Sequence, residues 1–200
     1  ILRSATPILF ATLASAIAAK SGICNMALEG IMLFSALFGV IFSSLTHSAW
    51  LGLLITMVIG GLIGMILAFF ILNLKTDEIL AAIAINLTAT GGTVLIMVAF
   101  SGDRGVSSSI RSVSAPTVTL PLIEKIPFIG SVLSGQNILT WLAILAVILL
   151  HLFLYKTPLG LAIRAVGENK NAAESVGISS RKIKYIALII SGVLASMGGF

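Results

Sequence analysis

Of 200 residues, 58% are hydrophobic and only 10% charged, and the mean hydropathy is +1.15. A soluble domain carries about a quarter charged residues because its surface faces water; this chain has too few polar groups for that, so its solvent is lipid. The net charge of +5 would point to nucleic acid in a soluble protein, but in a membrane chain such an excess reports orientation, and no nucleic-acid partner is expected.

The chain opens at Ile1 without a methionine and stops at Phe200 inside an apolar run, with no secretory signal and cleavage site. It reads as a fragment of one transmembrane domain, 1–200, with helices missing at both ends. Six candidate spans follow in order: 6–19, 26–45, 49–72, 79–100, 138–154 and 183–200. Each is expected to be helical, because hydrocarbon offers no partner for a free N–H or C=O. The expected class is therefore all-α, a polytopic transmembrane helical bundle.

The first span is short and ends at Lys20-Ser21-Gly22. The second carries Glu29 about one turn past the polar 20–25 break. A carboxylate in hydrocarbon is costly unless paired or wetted. Glu29 therefore either caps the break or pairs with Lys20 near the interface, or faces a cavity and touches solute. In the third span Gly60 and Gly64, beside Gly61, permit a close helix crossing. In the fourth, Asn86, Thr88 and Thr90 precede Gly91-Gly92; Asn bonds a neighbouring helix, Thr its own backbone, and solute contact is the other reading. The Gly pair allows a bend or a close approach.

Between the fourth and fifth spans lies the longest polar stretch, 101–137, with Pro116, Pro121 and Pro127. These prolines forbid a long helix, although a short lateral helix near 126–133 is compatible. Counting Lys and Arg in the connections orients the chain. Lys20, Lys75, Lys156, Arg164, Lys170, Arg181, Lys182 and Lys184 fall on one side, and Arg3, Arg104, Arg111 and Lys125 on the other. The first side is expected in the cytoplasm, which puts 101–137 outside. Cys24 is the single cysteine and forms no internal disulfide. His47 and His151 have no neighbours at metal-ligand spacing, so no metal, cofactor or catalytic residue is assigned.

The segment 156–182 carries the strongest pattern. Pro158 suits a helix start. Asn169 or Asn171 suits the cap of a second short helix, and Gly177 its end. Ala172 and Ala173 would give that helix a smooth face. It is either an amphipathic linker or a rigid lever for a partner's groove.

The Ala172-Ala173-x-x-x-Gly177 spacing resembles the coupling helix of ABC importer permeases. The fuller pattern, Thr157-Pro158-x-Gly160 through Asn169 to Gly177-Ile178, resembles the branch for simple sugars, nucleosides and branched-chain amino acids. Gly22-x-x-Asn25 with Leu28-Glu29-Gly30 and Met32-Leu33 is similar to its nucleoside and simple-sugar members. Asn171 departs from the Glu that other importer permeases carry before the alanines.

The resemblance implies a permease subunit of an ATP-driven importer in a prokaryotic plasma membrane. It would be surrounded by lipid and work with a cytoplasmic ATPase, a second permease subunit (identical or not) and an external solute-binding protein. Asn169, Asn171, Ala172, Ala173, Glu174 and Gly177 would couple to the ATPase. Asn25, Glu29, Asn86, Thr88 and Thr90 are the candidate pathway residues for a nucleoside or sugar. No Gly-x-x-x-x-Gly-Lys-[Ser/Thr] loop occurs, so ATP hydrolysis is expected on another subunit. An ion-coupled carrier or channel is the alternative, but it would want several ionisable residues deep in the spans.

Overall fold

The computed structural model describes residues 2–101, 117–118 and 136–200. The short helix expected near 126–133, and the three prolines around it, lie outside the described residues. In chain order the elements are α1 (Leu2–Lys20), α2 (Leu28–Thr46), α3 (Ala49–Leu72), α4 (Glu78–Ser101), β1 (Thr117–Val118), β2 (Gln136–Asn137), α5 (Ile138–Lys156), α6 (Pro158–Glu168), α7 (Lys170–Ser175) and α8 (Ser180–Gly199). The fold is the expected all-α bundle, and β1 and β2 form only a two-residue antiparallel pair. Helices α2, α3, α4, α5 and α8 are long and apolar enough to cross a membrane; α1 carries a shorter apolar stretch, Ser4–Lys20.

Local sequence sets most helix ends. His47 closes α2 in the left-handed region at φ 51°, where histidine is among the tolerated residues. The Asp77 carboxylate accepts from the N–H groups of Ile79 (2.9 Å) and Leu80 (3.3 Å) at the start of α4. Thr157 caps α6 by accepting from Gly160 N–H at 3.1 Å, with Pro158 in the first turn.

At the centre α8 packs on α3, α1 and α2. The Gly60–Gly64 pair makes its crossing with α8: a Cβ on Gly60 would fall on the Gly192 carbonyl, and one on Gly64 would sit 2.5 Å from that of Leu188. Much of the core is alanine, including Ala14, Ala18, Ala27, Ala68, Ala82 and Ala195. Small side chains let backbones approach where no hydrophobic force drives helices together. Large apolar side chains such as Leu54, Val58, Leu87, Leu95 and Leu149 point outward, as lipid requires.

The polar break expected at 20–25 extends through residue 27, two residues into the expected second span. Residues 21–27 run back into the bundle without helical structure, and α2 starts only at Leu28. The Asn25 side chain meets Ser191, three turns into α8, roughly 16 Å along its axis. The Met26 carbonyl meets Asn86, two turns into α4, roughly 12 Å along that axis. Backbone of this kind is tolerated at depth only where protein groups satisfy it; here the Ile23, Cys24 and Ala27 N–H groups and the Met26 carbonyl have such partners.

Candidate functional site

Four side chains hold the broken segment. Asn25 is buried; its amide N–H donates to Ser191 Oγ (2.8 Å), its carbonyl accepts from Ala27 N–H (3.0 Å), and Ser191 in turn donates to the Ala14 carbonyl (2.7 Å). Asn86 takes over the capping of α2, which has no side-chain cap of its own. Its Oδ1 accepts from Gly30 N–H at 2.9 Å and its Nδ2 donates to the Met26 carbonyl at 3.1 Å. Glu78 accepts from Cys24 N–H at 2.8 Å. The sequence reading passed over Glu78; its place in the first turn of α4 gave no sign of a partner 54 residues earlier.

Glu29 is exposed on α2. The pairing with Lys20 considered from sequence does not occur: the one ion pair among the described residues is Lys170–Glu174 at 3.9 Å. One turn beyond Glu29, Leu33 begins a groove of about 250 Å³ between α2 and α4, walled also by Ala36, Val40, Thr93 and Met97. Thr90, one turn before Thr93, lies on the same strip of α4. Thr88 does not join them. It lines a separate apolar cavity of about 440 Å³ with Phe34, Phe38, Ile63 and Phe70. Thr88 and Thr90 each donate to the carbonyl four residues back, at 2.7 and 2.8 Å. Gly92 faces Phe34 at 3.6 Å, while no side chain approaches Gly91.

At the end of the bundle that carries Lys20 and Lys156, α6 and α7 form a clamped pair. A Cβ on Gly160 would strike the Phe153 carbonyl, and one on Gly167 the Lys20 carbonyl. Gly22, at φ +76°, packs against Gly167 with its Cβ position 3.3 Å from the Gly167 Cα. Asn169 ends α6 and caps α7, its side chain accepting from Ala172 N–H at 3.1 Å. Glu174 accepts from Ser180 Oγ at the start of α8. Gly177, at φ +86°, lets the chain leave α7, and Ile178 N–H reaches back to the Ala173 carbonyl at 3.1 Å.

The two alanines do not share a face, contrary to the expectation. Ala172 is exposed beside Asn171, whereas Ala173 is buried with Ile163, Val166 and Ile183. Adjacent residues on a helix point about 100° apart, so only one of them remains on the outer surface.

A family profile described as "Branched-chain amino acid transport system / permease component" matches residues 1–200. The putative glucose ABC transporter permease protein of Haloferax volcanii is 32% identical over 202 residues, covering 99% of this chain and 59% of its own length. The nucleoside ABC transporter permease protein NupC of Lactococcus lactis is 32% identical over 203 residues, 97% of this chain and 62% of its own. The guanosine ABC transporter permease protein NupQ of Bacillus subtilis is 31% identical over 202 residues, 98% and 63%. The chain thus spans about three fifths of the length of these relatives, and no solved structure matches it. With five helices of membrane-spanning length among the described residues, it is a multi-pass protein of the prokaryotic plasma membrane, and it belongs to the branched-chain amino acid transport system permease family.

Proposed function

We propose that this chain forms part of the translocation pathway of an ATP-driven importer for a nucleoside or simple sugar. In this reading it works with a cytoplasmic ATPase, a second permease subunit and an external solute-binding protein. The relatives named for nucleosides, guanosine and glucose support the solute class.

The observation that carries the proposal is the clamped α6–α7 pair. Gly160 locks it to α5, Gly167 and Gly22 to α1, and Glu174 to α8, while Asn171 and Ala172 stay exposed. A push on α7 therefore moves three helices together instead of bending a loop. The basic residues Lys20, Lys75, Lys156 and Lys170 support placing this end in the cytoplasm. Asn25 and Asn86 then frame the pathway, and Glu29 and Thr90 offer acceptors and donors for sugar hydroxyls.

The test is Ala172→Trp in the assembled transporter. The indole should separate the ATPase or uncouple hydrolysis from uptake of labelled nucleoside in proteoliposomes, with membrane insertion unchanged. Normal uptake with the ATPase retained would reduce α7 to a linker. Ala173→Trp does not serve, because that side chain packs inside the chain.

A further inference from the structure

We infer that the pocket between α1, α5 and α6 binds the phosphate headgroup of an anionic phospholipid. The inference stands apart from the transport reading and holds whichever leaflet this end faces. The pocket encloses about 430 Å³, with Ala19 and Lys20 from the end of α1, Tyr155 from α5, and Leu161, Arg164 and Glu168 from α6. It opens where α1 and α5 give way to Lys20 and Lys156, the level at which headgroups and interfacial aromatics meet. Along the same level α6 turns Gly160, Ile163 and Val166 inward and leaves Leu159 and Leu161 about half exposed, a surface on which acyl chains can rest.

The cations are poised for an anion. The Arg164 guanidinium lies 4.5 Å over the Tyr155 ring, which fixes its plane. Its Nε is buried and has no hydrogen-bond partner. Neither Arg164 nor Lys20 forms an ion pair among the described residues. Glu168 shares the pocket and offsets one of the two positive charges, yet pairs with neither within 4.0 Å. A planar fork held on an aromatic face suits phosphate oxygens, with Lys20 as a second point charge. The exposed leucines favour a lipid over free phosphate.

The experiment is native mass spectrometry of the intact transporter after reconstitution in phosphatidylcholine vesicles containing a minority of phosphatidylglycerol. Phosphatidylglycerol should be retained in preference. Arg164→Gln and Lys20→Gln should each lower its retention about fivefold, the share of one basic side chain near an anionic leaflet. Lys20 is exposed, so its variant reads binding even if Arg164→Gln folds poorly. Lys182→Gln, a basic change away from the pocket, should leave retention unchanged. An equal loss in Lys182→Gln would mean diffuse attraction and overturn the site. Displacement by inorganic phosphate would overturn the lipid as its occupant. Unchanged lipid with loss of the ATPase from the Arg164 and Lys20 variants would assign the pocket to a protein interface instead.

Discussion

Replacing Asn86 by alanine removes the side chain that caps α2 from a neighbouring helix. Two bonds go at once, that to Gly30 N–H (2.9 Å) and that to the Met26 carbonyl (3.1 Å). Inter-helical hydrogen bonds in membranes are worth ~0.6 kcal/mol on average and up to ~1.7. Gly30 is buried and α2 has no other side-chain cap, so the bond to Gly30 falls toward the upper end, whereas that to Met26 is exposed and stays near the average; together they are worth ~2 kcal/mol. For a chain of this size that lowers Tm by roughly 4–8 °C, readable by thermal unfolding of the detergent-purified transporter. Thr88→Val is the comparison: its hydroxyl bonds only its own helix at Ala84, and its Tm should shift little. Asn86→Asp keeps the acceptor for Gly30 and loses the donor to Met26, so it should separate the two contributions. If Asn86→Ala melted with Thr88→Val, the broken segment would be held by something other than this amide.

Gly64→Leu should abolish assembly or lower Tm sharply, because its side chain would meet the Leu188 backbone at the α3–α8 crossing; Gly61→Ala, facing only side-chain methyl groups at 3.3 Å or more, should be mild. Gly177→Ala should cost about 1–2 kcal/mol through its left-handed backbone, and Gly177→Asn less, measured by thermal unfolding. Glu29→Gln should weaken nucleoside uptake without lowering Tm, since this carboxylate makes no ion pair among the described residues; a loss of stability instead would make it a structural residue. In a Cys24→Ala background, Ser175→Cys should resist an impermeant reagent applied from outside while Ser108→Cys reacts, and the reverse pattern would invert the orientation.

The sequence by itself determined that lipid is the solvent, that the chain is a helical bundle, and where several helices end. Those ends were legible because their causes are local: Thr157 reaches three residues to Gly160, Asn169 three to Ala172, and Gly177 adopts its positive φ alone. The Gly60–Gly64 spacing likewise announced a close crossing, though not that Gly192 and Leu188 would meet it. Only the tertiary structure decided that residues 21–27 re-enter the bundle, because the groups that satisfy them, Glu78 and Asn86, lie 54 to 60 residues away. It also decided that Thr93 lines the α2–α4 groove while Thr88 faces the phenylalanine cavity, and that Ala172 looks outward while Ala173 is buried. Residue type says that a side chain is small or polar; which way a helix turns it depends on the rotation that packing against α2, α3, α5 and α8 imposes.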